Sequence, residues 1–119
     1  MNYNKIEYEK LELHAKILSE KVAQNPDSTD LILEYIETLG MYAPYTDEDQ
    51  CRHIRAIVIN YYNRLSENLN YKRNLLKIDT ALIENTTGKE TVILFKEIQH
   101  IYKENPLLEL AVLYAEALC

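Results

Sequence analysis

Three histidines, two cysteines and one block of cations are the residues with chemistry to offer in this 119-residue chain. His14, His53 and His100 fall on three different predicted helices. Cys51 and His53 are two apart, which turns them to different helix faces. No Cys-x-x-Cys and no His-x-x-x-His occurs, so a metal site is not indicated and no cofactor is expected. Glu34 and Glu37 lie one turn apart, and Asp47, Glu48 and Asp49 cluster. The pair reads as a solvated face, and the cluster as the acidic start of a helix. The two glycines stand alone, so no phosphate-cradling loop is present. No catalytic residue is assigned.

The cations are the stronger signal. Arg52, Arg55, Arg64, Lys72, Arg73 and Lys77 face only Glu67, so residues 51–77 sum to +5. Residues 1–50 carry −7 and residues 78–119 carry −4, within a total of −6. A reversal of this size marks a contact surface. On a helix, positions 52, 55, 59 and 62 are three or four apart, so Arg52, Arg55 and Tyr62 share a side. Arg64 extends the charge, and Lys72 and Arg73 open the next helix. Arginine beside tyrosine can hold a carboxylate or phosphate. These six residues form the expected partner-binding face. The competing reading is intramolecular, with the acidic first and second helices neutralising that face. The acidic total disfavours nucleic acid as the partner.

Helices must position these groups. Only two glycines and three prolines occur, which fits helices joined by short turns. The first helix spans about residues 4–23, with Leu11, Ala15, Leu18 and Val22 in a row, and Asn25-Pro26 stops it. Asp27 or Ser28 caps a second, which buries Ile32, Tyr35, Ile36 and Leu39 and closes at Gly40. A third starts at a capping box of Thr46 and Asp49. Cys51, Ile54, Ile57, Val58, Tyr61, Tyr62 and Leu65 recur along it. The fourth uses Tyr71, Leu75, Ile78 and Leu82. After a break at Asn85–Gly88, a fifth buries Val92, Phe95, Ile98, Ile101 and Tyr102. The sixth, Leu107 to Leu118, is nearly all apolar and must be buried on most of its circumference. It sits centrally or forms a homodimer seam through Leu110, Leu113, Tyr114 and Leu118.

Similar stretches follow the breaks at Pro26 and Pro106. Leu110-Ala111-x-x-Tyr114 resembles the first helix of a tetratricopeptide repeat. Those repeats have a period of about 34 residues, and the two prolines are 80 apart, roughly two longer units. The resemblance covers about a quarter of the chain. It implies stacked antiparallel hairpins that bind a protein or peptide.

The expected fold is therefore all-α: one domain over residues 1–119, with five or six antiparallel helices as stacked hairpins or as a compact bundle. Two cysteines make no disulfide framework, and no run of eighteen apolar residues occurs. Met1–Lys10 is polar and mixed in charge. A cytoplasmic protein with no membrane span is expected. Its expected function is that of a non-catalytic protein–protein interaction module using the Tyr/Arg face. The alternative is a small acidic inhibitor, such as an immunity protein, antitoxin or phage-encoded blocker, that covers a basic site on its target. An enzyme is the last reading, since it needs a deep polar pocket that gathers the histidines with carboxylates.

Overall fold

A computed structural model describes residues 5–84, and the predicted fifth and sixth helices, including Leu110, Leu113, Tyr114 and Leu118, lie outside them. The described chain is α-helical: α1 (Lys5–Gln24), α2 (Thr29–Tyr42), a 3-10 turn (Ala43–Tyr45), α3 (Glu48–Ile59), α4 (Tyr62–Leu65) and α5 (Leu69–Glu84). Among the described residues, no helix is long and apolar enough to cross a membrane.

α1 and α2 form an antiparallel hairpin. Leu11, Ala15, Leu18 and Val22 face its inside, as their spacing predicts. The hairpin is tied at one end by phenols. The hydroxyls of Tyr8 and Tyr42 lie 3.2 Å apart, and both donate to Glu12 Oε2, at 3.1 and 3.0 Å. At the turn, Asn25 Nδ2 donates to the Lys21 carbonyl, and Ser28 Oγ accepts from the Leu31 N–H to cap α2. Ile32, Tyr35, Ile36 and Leu39 are all buried.

Gly40 does not close α2. The helix runs on to Tyr42, and Ala43-Pro44 turns the chain two residues later. The glycine serves close approach instead. A Cβ on Gly40 would lie 2.6 Å from Asn74 Oδ1 and 3.3 Å from Asn74 Cβ. Asn74 is buried in α5, where its Nδ2 donates to the Asn70 carbonyl and its Oδ1 finds no hydrogen-bond donor among the described residues. Its amide oxygen is packed against the bare face of Gly40.

Two boundaries of α3 also differ from the periodicity. The N-cap is Asp47, whose carboxylate accepts from the Gln50 N–H at 2.8 Å. Thr46 is buried and donates back to the Ala43 carbonyl, so it finishes the preceding turn. At the other end, α3 stops at Ile59 and does not run to Leu65. A turn at Asn60 and Tyr61 separates it from α4. The carbonyl of Val58 is thereby left with a free lone pair, and the buried Tyr71 hydroxyl donates to it at 2.6 Å. Asn68 caps α5 through the Tyr71 N–H.

α5 is the central element. Tyr71, Asn74, Leu75, Leu76, Ile78, Asp79, Ala81, Leu82 and Ile83 are buried, which spans more than half of its circumference. It packs on α2, on α3 and on the 3-10 turn. Cys51 meets Ile78 and Val58 meets Tyr71, so α3 and α5 run antiparallel. Leu107–Leu118, read from its apolar composition as central or as a homodimer seam, lies outside the described residues. Among the described residues, α5 shows that a helix carrying Asn74 and Asp79 can be buried over much of its circumference when the acid is paired and the amide is given room.

Gly40→Ala tests the close approach. Helix propensity alone would stabilise the variant by about 1 kcal/mol. Overpacking against Asn74 is expected to win and to destabilise by about 1–3 kcal/mol in urea denaturation. Adding Asn74→Ala should recover most of that loss, which a double-mutant cycle will read as coupling.

Candidate functional site

The cationic segment forms the α3, α4 and α5 layer, and its members have separate fates. Arg55 sits one turn after Arg52 on α3, at the edge of the buried row Cys51, Ile54 and Val58. Its Nε donates to Asp79 Oδ1 at 2.5 Å. The Arg55 side chain is 18% exposed and that of Asp79 is 0% exposed. A carboxylate sealed from water costs several kcal/mol unless it is paired, and Arg55 supplies the charge. Arg64, in α4, reaches across to the turn between α1 and α2. Its guanidinium donates to the carbonyls of Pro26 at 2.9 Å and Asp27 at 3.0 Å, and lies 3.4 Å from Thr29 Oγ1. One arginine thus neutralises a buried acid, and another clasps a loop.

The remaining members reach the surface. Arg52 is exposed and donates to Glu48 at 3.2 Å, one turn earlier on the same helix. Such exposed pairs contribute little. Tyr62 is half-buried, its ring 6.4 Å from that of Tyr71. Lys72 and Arg73 are half-buried in the first turn of α5, and Lys77 is exposed one turn on. Tyr62 lies beyond the turn at Asn60 and Tyr61, so it is not on the helix that carries Arg52 and Arg55, on which the periodicity predicts a shared side for all three.

Two of the cations are engaged within the fold. Arg55 pairs with Asp79 on α5, and Arg64 uses backbone carbonyls in place of side-chain carboxylates. Asp79 was missed by the sequence reading. The available signal was its position between Ile78 and Leu82, one turn past Leu75 on an apolar row.

The other titratable groups are held apart. His14 Nε2 lies 4.0 Å from Glu34 between α1 and α2. His53 lines an open, largely apolar cleft of about 300 Å³ with Tyr42, Asp49, Gln50 and Ile54. His100 lies outside the described residues. Among the described residues, no three His, Cys, Asp or Glu side chains gather where a metal ion could be held.

Cys51 is buried and its thiol donates to the Ile78 carbonyl at 3.7 Å. Burial pushes the thiol up to about 11, with the Asp79 charge adding to the rise and a hydrogen bond with Thr46 opposing it. A thiol so placed is a poor nucleophile. Burial likewise raises Tyr71, and burial with the Tyr8 and Glu12 hydrogen bonds raises Tyr42, each well above the ordinary phenol.

No family model matches this chain, and no curated protein or solved structure does either.

Two expectations follow. Arg55→Met leaves Asp79 buried without its cation and should cost about 3–5 kcal/mol, whereas Arg55→Met with Asp79→Leu should restore much of it in thermal or urea unfolding. The raised Cys51 thiol holds its proton in the folded chain after the unfolded chain has lost it. Its contribution is complete below the ordinary thiol value of 9.0 and fades as pH rises toward about 11. Stability measured across that window should fall less in Cys51→Ala than in the parent.

Proposed function

We propose that the chain is a non-catalytic interaction module of helical hairpins that binds a protein or peptide partner through the surface residues of the α3–α5 layer. The observation that carries this reading is the division of the cations. Arg55 is held against the buried Asp79 and the exposed Arg64 is engaged with the turn between α1 and α2, while Arg52 on α3, Tyr62 on α4, and Lys72 and Arg73 on α5 are exposed or half-buried. A face that carries guanidinium groups and a tyrosine ring suits a carboxylate-bearing segment, because the fork binds the carboxylate and the ring packs on apolar neighbours. An acidic peptide stretch is the partner chemistry that fits. The free, buried Cys51 supports a reducing, cytoplasmic setting.

The alternative, a small acidic inhibitor, draws support from one observation: Glu34, Glu37 and Asp49 are all exposed, along α2 and at the start of α3. In that reading these carboxylates would cover a cationic site on a target protein.

Charge reversal separates the two. Arg55 must be left intact, since its change would unfold the layer whatever it binds. Arg52→Glu with Lys72→Glu should weaken binding of labelled Glu-rich peptides by roughly ten-fold or more in fluorescence anisotropy at low salt, with circular dichroism unchanged. Equal binding by parent and variant would remove this face from consideration. Binding of a cationic target that is lost on Glu34→Gln, Glu37→Gln and Asp49→Asn, and kept on reversal of Arg52 and Lys72, would select the inhibitor.

A further inference from the structure

α1 carries two apolar faces, and α2 covers one of them. The buried row is Leu11, Ala15, Leu18 and Val22. On nearly the opposite side stand Ile6, Leu13 and Ile17, which are 67%, 59% and 40% exposed. With Lys10 between them, positions 6, 10, 13 and 17 alternate by four and three, the spacing of a helix–helix seam. Three large aliphatic side chains in one exposed line, on a helix already anchored by its other face, need a second surface.

The charges beside the stripe indicate which surface. Lys5, Glu9, Lys16 and Glu20 line one flank, and all four are exposed. We infer that the outer face of α1 pairs antiparallel with the same face of a second copy of this chain. A two-fold axis between positions 12 and 13 sets Glu9 opposite Lys16 of the other copy, twice over, and sets Lys5 near Glu20. In that register Ile6 and Ile17, and likewise Lys10 and Leu13, stand two residues, about 3 Å along the axis, from level, close enough for the aliphatic side chains to pack. Parallel pairing fails on both counts. It stacks Lys10 on Lys10 inside the seam and brings Lys16 beside Lys21. A charge pattern that reverses sign when read backwards is what a two-fold, self-complementary antiparallel contact requires. α1 is 20 residues long, about 30 Å. A seam of that length lies at the small end of stable interfaces, roughly 1,200 Å², so the dimer is reversible and concentration-dependent. This surface is separate from the α3–α5 layer, and either proposal stands without the other.

Size exclusion with light scattering on the full 119-residue chain, taken to millimolar concentration at low salt, tests the inference. A dimer is expected. Glu9→Lys or Lys16→Glu alone should weaken it roughly ten-fold, since each puts two like-charge contacts at the seam. Glu9→Lys with Lys16→Glu should restore it, because the swap regenerates both pairs. Leu13→Glu should leave a monomer with unchanged helix content and, compared at micromolar concentration where the parent has dissociated too, an unchanged unfolding midpoint. A monomer throughout overturns the inference. So does a dimer indifferent to Leu13→Glu, which would place the seam elsewhere, for example in residues 107–118. A lower unfolding midpoint for monomeric Leu13→Glu would mean that the chain covers the stripe itself, and that result overturns it too.

Discussion

A carboxylate sealed inside a helical layer is the constraint around which the described fold is arranged. Asp79 has no exposed surface, and it lies on α5, the helix that packs on α2, on α3 and on the 3-10 turn. Leaving such a charge unpaired would cost a large fraction of the stability of a domain this size. Arg55 must therefore arrive from α3 at one height and one angle. Once it does, the antiparallel register of α3 and α5 is set, and Cys51 and Tyr71 fall into place at the two ends of the contact. The thiol reaches the Ile78 carbonyl and the phenol reaches the Val58 carbonyl. Both bonds satisfy polar atoms that the same packing has buried.

The other side of α5 obeys a steric rule. Asn74 presents its amide toward α2, and a side chain opposite would collide with it. Gly40 removes the obstacle at the cost of backbone entropy. One central helix thus meets one neighbour by charge and the other by absence of a side chain. Each contact is specific in a way that an all-aliphatic seam would not be, because a one-turn slip of either helix would strand Asp79 or drive Asn74 into a larger residue.

The elements were largely legible, and the reasons for the misreadings are physical. Helical periodicity gave α1, the buried face of α2 and the row on α5, since apolar spacing reports directly on burial. Capping chemistry found Ser28 and placed the start of α3 within a residue. Gly40 was misread because a glycine after an apolar row is a good stop signal, and nothing local distinguishes it from a glycine chosen for its neighbour 34 positions on. The end of α3 was misread because Tyr61, Tyr62 and Leu65 continue the period through a turn. The turn is favoured by Tyr71, whose hydroxyl takes the Val58 carbonyl from a distance no local pattern encodes. The candidate face was legible as a charge reversal, but its internal use was not. Asp79 counts as one acid among nineteen in the sequence and becomes decisive only when α3 seals it.

That last point bears on how a block of like charge should be interpreted. Net charge over a segment adds every cation equally, whereas folding does not. Arg64 can bridge two carbonyls and a hydroxyl because the guanidinium presents several donors in one plane, and Arg55 can accompany a carboxylate into the interior because it holds its charge when partly desolvated. Lysine does neither well. In this chain Arg55 and Arg64 are aimed at fixed acceptors, while on α5 Lys72 is half-buried and Lys77 is exposed. The reversal from −7 to +5 along the sequence is therefore two things at once. It is an internal requirement, met in part by Arg55 and Arg64, and a charge carried by side chains that reach the surface. Only the second can act on another molecule, and its strength is set by the residues that reach solvent and not by the sum over the segment.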